Sequence, residues 1–148
     1  MTGAFEGDLI RPLGLVTLNF AYAEGEIDEL LSVLPAQEPY DDAKRQWPVG
    51  RKLGYAQELV QQLNANSLSG LSATLKEAKP LFERRNTLIH SQIFSGGHVV
   101  SNRKGAEPQQ VSPEELVQLA EQIFSWKEHL NMHRWRHLMP LLAAPDDA

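Results

Sequence analysis

Leu81-Phe82-Glu83-Arg84-Arg85-Asn86-Thr87-Leu88-Ile89-His90-Ser91 closes the run of sequence on which the reading of this chain turns. Upstream of it, Leu71, Leu75, Ala78, Leu81 and Phe82 recur at spacings of three and four, and Leu88 and Ile89 keep the same phase. That periodicity predicts one helix from about Leu68 to His90. Pro80 lies in its middle and lacks the N–H that the helical ladder uses there, so a kink is expected, not a break. On such a helix Asn86 and His90 lie about 40° apart and share a face, whereas Arg85 and His90 are separated by about 140°. A cationic pair, an amide and an imidazole are thus crowded at the end of a helix that is otherwise built for a core.

Before this stretch, Leu13, Val16, Phe20, Ala23, Ile27, Leu31 and Leu34 define a first amphipathic helix from about Ile10 to Leu34, stopped by Pro35. Asn19 and Glu24 flank its apolar seam. Pro35, Pro39 and Pro48, with Asp41 and Asp42, mark a connector in which Trp47 covers the start of the next helix. Leu53, Ala56, Leu59, Val60 and Leu63 give a second helix from about Val49, and Asn64-Ala65-Asn66-Ser67 a turn.

After the stretch, Ile93-Phe94 and Val99-Val100 flank Ser95-Gly96-Gly97, a β-hairpin signal, followed by the basic return Asn102-Arg103-Lys104-Gly105. Ser112 as N-cap, Pro113 in the first turn and Glu115 completing a capping box open the last helix. It continues through Leu116, Leu119, Ala120, Ile123, Trp126, Leu130 and Leu138 to about Met139, before Pro140. The expected fold is all-α: a four-helix up-and-down bundle with a short β-hairpin inserted between the third and fourth helices. Residues 1–148 are expected to form a single domain, with 1–8 and 143–148 disordered.

Composition narrows the chemistry. The 148 residues include no cysteine, which excludes disulfides, thiolate catalysis and cysteine-based metal centres. A net charge of -5 argues against a dedicated high-affinity DNA or membrane-surface binder, although a local basic patch is enough to place one phosphate. With no signal-peptide pattern and no apolar stretch long enough to span a bilayer, the expected location is the cytoplasm. Ser95-Gly96-Gly97 opens no helix and lacks the lysine of a phosphate loop. His129, His133 and His137 recur every four residues and could line one helix face as metal ligands. The glutamate of metalloprotease helices is missing, and Lys127, Arg134 and Arg136 would repel a cation, so no metal or other cofactor is expected. Trp126, Trp135 and Arg134 could stack on bases, but tryptophans on an amphipathic helix read first as core or interface.

Arg85-Asn86-Thr87-Leu88-Ile89-His90 resembles the signature of the HEPN superfamily: arginine, a small polar residue often asparagine, and histidine after a spacer of four to six residues. The order of helices is similar too, and the resemblance spans roughly residues 10–142. It implies a helical domain that usually forms homodimers, joining two arginine–histidine motifs across a shared cleft. Many members are metal-independent endoribonucleases of toxin–antitoxin or other defence systems, with RNA as substrate and an antitoxin protein as partner. Others bind a nucleotide or a partner protein without catalysis. Carried onto this chain, the catalytic roles fall on Arg85 and His90 with Asn86 in support. The side chains suit the task. Histidine titrates near neutral pH and can serve as base, while a guanidinium meets phosphorane charge with paired hydrogen bonds. Asn86 is expected to fix the imidazole or bind a phosphate oxygen. Arg84, Arg103, Lys104 and His98 are expected to hold substrate backbone.

Overall fold

The computed structural model describes residues 3–89, 91–94, 98–101 and 109–144, and the side chains of residues 9–88 and 111–144. The helices are α1 (Gly3–Val33), α2 (Asp42–Arg45), α3 (Val49–Leu63), α4 (Ser69–Ile89), α5 (Pro113–His133) and α6 (Met139–Ala143). A 3-10 turn at Asn66–Leu68 precedes α4, and a π-helical turn at Arg134–Leu138 joins α5 to α6.

Helices carry the fold, in keeping with the all-α class, but the expected four-helix bundle with a two-stranded hairpin is corrected. Six α-helices are found among the described residues. The added α2 forms because Asp41, in an extended conformation, accepts a hydrogen bond from the Lys44 backbone N–H at 3.0 Å and caps a single turn inside the connector. The added α6 forms because Pro140 does not end the last helix. The π-helical turn resets the register so that this proline falls in the first turn of a new segment, where its missing N–H costs nothing. Between α4 and α5 the backbone runs antiparallel in the order β1 (Ser91–Phe94), β2 (His98–Ser101), β3 (Gln109–Gln110), so the segment is not two-stranded.

Other boundaries follow local chemistry. α1 starts at Gly3, not near Ile10 as expected, and Pro12 sits within it. α3 ends at Asn64 in the left-handed conformation (φ 48°), which asparagine tolerates, and the Asn64 N–H closes the end on the Gln61 carbonyl. α4 runs unbroken through Pro80. Ser112 caps α5 by accepting from the Glu115 backbone N–H at 3.1 Å.

The chain divides into two compact units, residues 1–21 with 80–124, and residues 22–79 with 125–148; the divisions fall inside α1, α4 and α5. The first unit buries Val16, Phe20, Phe82, Leu116, Leu119 and Ile123. In the second, Ile27, Leu30, Leu71, Leu75, Trp126 and Leu130 form the core, and the Trp126 indole N–H donates to the Thr74 carbonyl at 2.7 Å. Trp135 does not join the core, the first of its two expected places: it is exposed, with the Arg134 guanidinium 5.0 Å from its ring centroid. Among the described residues no helix is long and apolar enough to cross a membrane.

Candidate functional site

Of the residues singled out by the sequence, Arg84, Arg85 and Asn86 lie in the first unit, on the last turns of α4. Arg85 and Asn86 are half-buried there, and Arg84 is exposed. His90, Arg103 and Lys104 lie outside the described residues, and of His98 only the backbone, in β2, is described.

Arg85 is tightly placed. Its guanidinium carbon lies 3.7 Å from the centroid of the Phe20 ring, contributed by α1. One terminal nitrogen donates to Asn86 Oδ1 at 2.9 Å. Phe20 is in turn met edge-on by Phe82, with centroids 5.1 Å apart and planes at 67°. A guanidinium lying on an aromatic face gains cation–π attraction and donates hydrogen bonds from its edge, not its face. Asn86 was expected to orient the imidazole or take a phosphate oxygen; its carbonyl oxygen here accepts from Arg85. On the exposed side of α4, the Thr87 hydroxyl donates back to the Glu83 carbonyl at 3.0 Å. At the same level of α1, Asn19 donates to the Ala120 carbonyl of α5 at 3.0 Å. The sequence did not reveal Phe20 as the neighbour of Arg85, nor Asn19 as a tie between α1 and α5. Phe20 reads as one more apolar-stripe residue, and Asn19 as a flanking polar one.

The second unit holds a separate set of polar groups. Lys52 of α3, with 1% of its side chain exposed, sits between Glu24 (3.0 Å) and Asp28 (2.9 Å) of α1. Asp28 also accepts from the Tyr40 hydroxyl at 2.5 Å. Burial opposes the Lys52 charge, but hydrogen bonds to Asp28 and Glu24 outweigh it and hold the ammonium above its ordinary range. Burial, and then the bond to Asp28, pushes the Tyr40 phenol up. Glu24 and Asp28 stand four residues apart on one helix face, a sequence signal that could have been read as a cation seat. Glu26, also on α1, accepts from Asn131 at 2.8 Å and from buried Arg134 at 3.4 Å. Arg134, read from the sequence as a base-stacking candidate, is thus an interior ion-pair partner.

Of the three histidines of α5 and the π-helical turn, His133 and His137 are half-buried and His129 is exposed. His133 and His137 rings stand 5.1 Å apart at 61°. Burial first, then the nearby His137 and His129, holds the His133 imidazole below its ordinary value, against the opposing pull of Glu77. Among the described residues no three histidine, cysteine, aspartate or glutamate side chains gather into a metal site.

Two predictions arise from this region. A histidine held neutral by the fold contributes stability in full above about pH 6.5, because the unfolded chain there gains no proton. As pH falls below about 6.5 the unfolded state protonates first, and stability is lost until the lowered folded value is passed. Urea midpoints between pH 7.5 and 5 should therefore fall less steeply in His133→Asn than in the unmodified chain; equal slopes would discard the assignment. The second concerns Gly70, in the first turn of α4. A Cβ there would lie 2.6 Å from His133 Cε1 and 3.2 Å from Nδ1. Gly→Ala in a helix ordinarily gains up to about 1 kcal/mol. Here the overlap should reverse the sign and cost about 1 kcal/mol. In a His133→Ala background the same change should become stabilising again, which thermal melts of the four proteins would show.

No family model matches this chain, and no curated protein or solved structure matches it.

Proposed function

We propose that the chain is a HEPN-type, metal-independent endoribonuclease that works as a homodimer. In this reading His90 removes the proton from the substrate 2′-hydroxyl, O2′ attacks the adjacent phosphorus, and the P–O5′ bond breaks. The products are a 2′,3′-cyclic phosphate and a 5′-hydroxyl that takes up a proton. Arg85 meets the charge that builds on the phosphorane oxygens.

One observation carries the reading: the Arg85 guanidinium, five residues before His90 in sequence, is oriented by the Phe20 ring and by Asn86. Charge stabilisation of this kind depends on donors whose orientation is set before the reaction. The dimer is supported by exposed apolar side chains of α1 in the same unit, Ile10 and Leu18, at 70% and 47% exposure. A toxin–antitoxin or defence role, with an antitoxin protein as partner, belongs to the same proposal.

A second reading, a non-catalytic HEPN-like module that binds a nucleotide or a partner protein, is favoured by the net charge of -5 and by the engagement of Arg85 within its own fold. Incubation of the full chain with mixed RNA in EDTA, beside His90→Ala and Arg85→Ala, separates the two. Cyclic-phosphate ends that both substitutions abolish are expected. Cleavage that survives both, or none under any condition, would sink the enzyme, and nucleotide binding without cleavage would establish its rival.

A further inference from the structure

We infer that Phe20 is a positioning residue for Arg85: its ring is the platform that fixes the plane of the guanidinium and so decides which edge faces a bound phosphate. The inference deepens the reading of Arg85 as the phosphate-facing group and rests on it.

An arginine at the end of a helix has several freely rotating bonds, and its planar fork gives paired hydrogen bonds only when the plane is correctly turned. Two of its contacts bear on its orientation. The ring of Phe20 at 3.7 Å sets the plane, and the 2.9 Å bond to Asn86 sets the rotation within that plane. The platform is itself fixed. Phe20 is 7% exposed and Phe82 3% exposed, and their edge-to-face contact prevents the Phe20 ring from tilting without displacing a core neighbour. The turn of α1 that carries Phe20 is tied to α5 through the Asn19 side chain and the Ala120 carbonyl. Asn86 is next to Arg85 in the chain, so its restraint is local. Phe20 comes from a distant part of the sequence, so the plane of the guanidinium exists only once α1 and α4 have packed.

Removing the ring should therefore leave Arg85 charged and substrate-binding but wrongly turned. For the full-length protein, Phe20→Leu is expected to lower kcat for RNA cleavage on the order of tenfold to a hundredfold, with KM within about twofold. Phe20→Tyr, which keeps an aromatic face, should recover most of kcat. A readout independent of activity comes from NMR. The Arg85 δ-methylene protons should be shifted upfield by the ring current in the unmodified chain and in Phe20→Tyr, and should return to ordinary positions in Phe20→Leu. The Ile123 and Leu119 methyl signals should meanwhile keep their folded dispersion. Unshifted Arg85 protons in the unmodified chain, or a shift that persists in Phe20→Leu, overturn the inference. So does unchanged kcat in a Phe20→Leu protein whose Arg85 shift is lost. Absence of cleavage in every chain, including the unmodified one, instead sinks the endoribonuclease reading, and the NMR comparison then decides the platform by itself.

Discussion

Arg85→Lys is expected to lower RNA cleavage by the proposed site on the order of a hundredfold while the protein remains folded. Lysine keeps the positive charge, so simple attraction of the phosphate survives. What it loses is geometry. An ammonium is a compact, strongly hydrated point charge, without the planar fork that matches two phosphoryl oxygens at once. It also lacks the flat face that rests 3.7 Å above Phe20, and it cannot reproduce the fixed in-plane bond to Asn86. Loss of one preoriented donor to a developing oxyanion costs about 10²- to 10³-fold in rate elsewhere, and retained charge places this substitution at the lower end. Single-turnover cleavage of an end-labelled RNA, with far-ultraviolet circular dichroism to confirm the helices, makes the measurement. A rate within threefold of the unmodified chain would show that only charge at position 85 matters.

Lys52→Met should destabilise the fold strongly, by about 3 kcal/mol. Methionine replaces much of the lysine stem, so little volume is lost. The ammonium is not replaced, and Glu24 and Asp28, both within 3.0 Å of it, are left facing each other across one helix turn. Breaking a buried ion pair by removing one partner costs about 3–5 kcal/mol, because the remaining charge stays uncompensated. The carboxylates here keep 35% and 21% side-chain exposure, so water relieves part of the cost and the low end applies. For a chain of this size the melting temperature should drop by roughly 10 °C. Adding Glu24→Gln and Asp28→Asn to Lys52→Met should recover much of the loss, because no uncompensated charge then remains. The alkaline limb offers an independent check. Since the folded Lys52 titrates above its ordinary range, its contribution is complete below about pH 10.4 and is lost as pH rises through the folded value. That limb should flatten in Lys52→Met. A melting temperature unchanged by Lys52→Met would mean that the trio contributes nothing.

The contrast between these two sites explains which parts of the molecule could be read in advance. Periodicity located α3 and α4 to within a residue or two, and the Ser112–Glu115 capping box marked the start of α5, because spacing and capping are properties of contiguous residues. Pro140 misled, since it reads locally as a stop, and only the π-helical turn before it makes the continuation possible. Lys52 reads as a solvated side chain on an amphipathic helix. Its burial depends on two carboxylates more than twenty residues upstream, and nothing around Lys52 itself reports them.

What the chain alone determined is the helical character of the body, its main boundaries, and the adjacency of Arg85 and Asn86, whose hydrogen bond spans neighbouring residues. What only the tertiary structure decided is the environment of the charged groups: Phe20 beneath Arg85, Glu24 and Asp28 around Lys52, and Glu26 against Arg134. The physical reason is range. Hydrophobic period and capping act over a few residues and are written in sequence order. The orientation and burial of a charge depend on side chains brought from far along the chain, and exist only after the helices have packed.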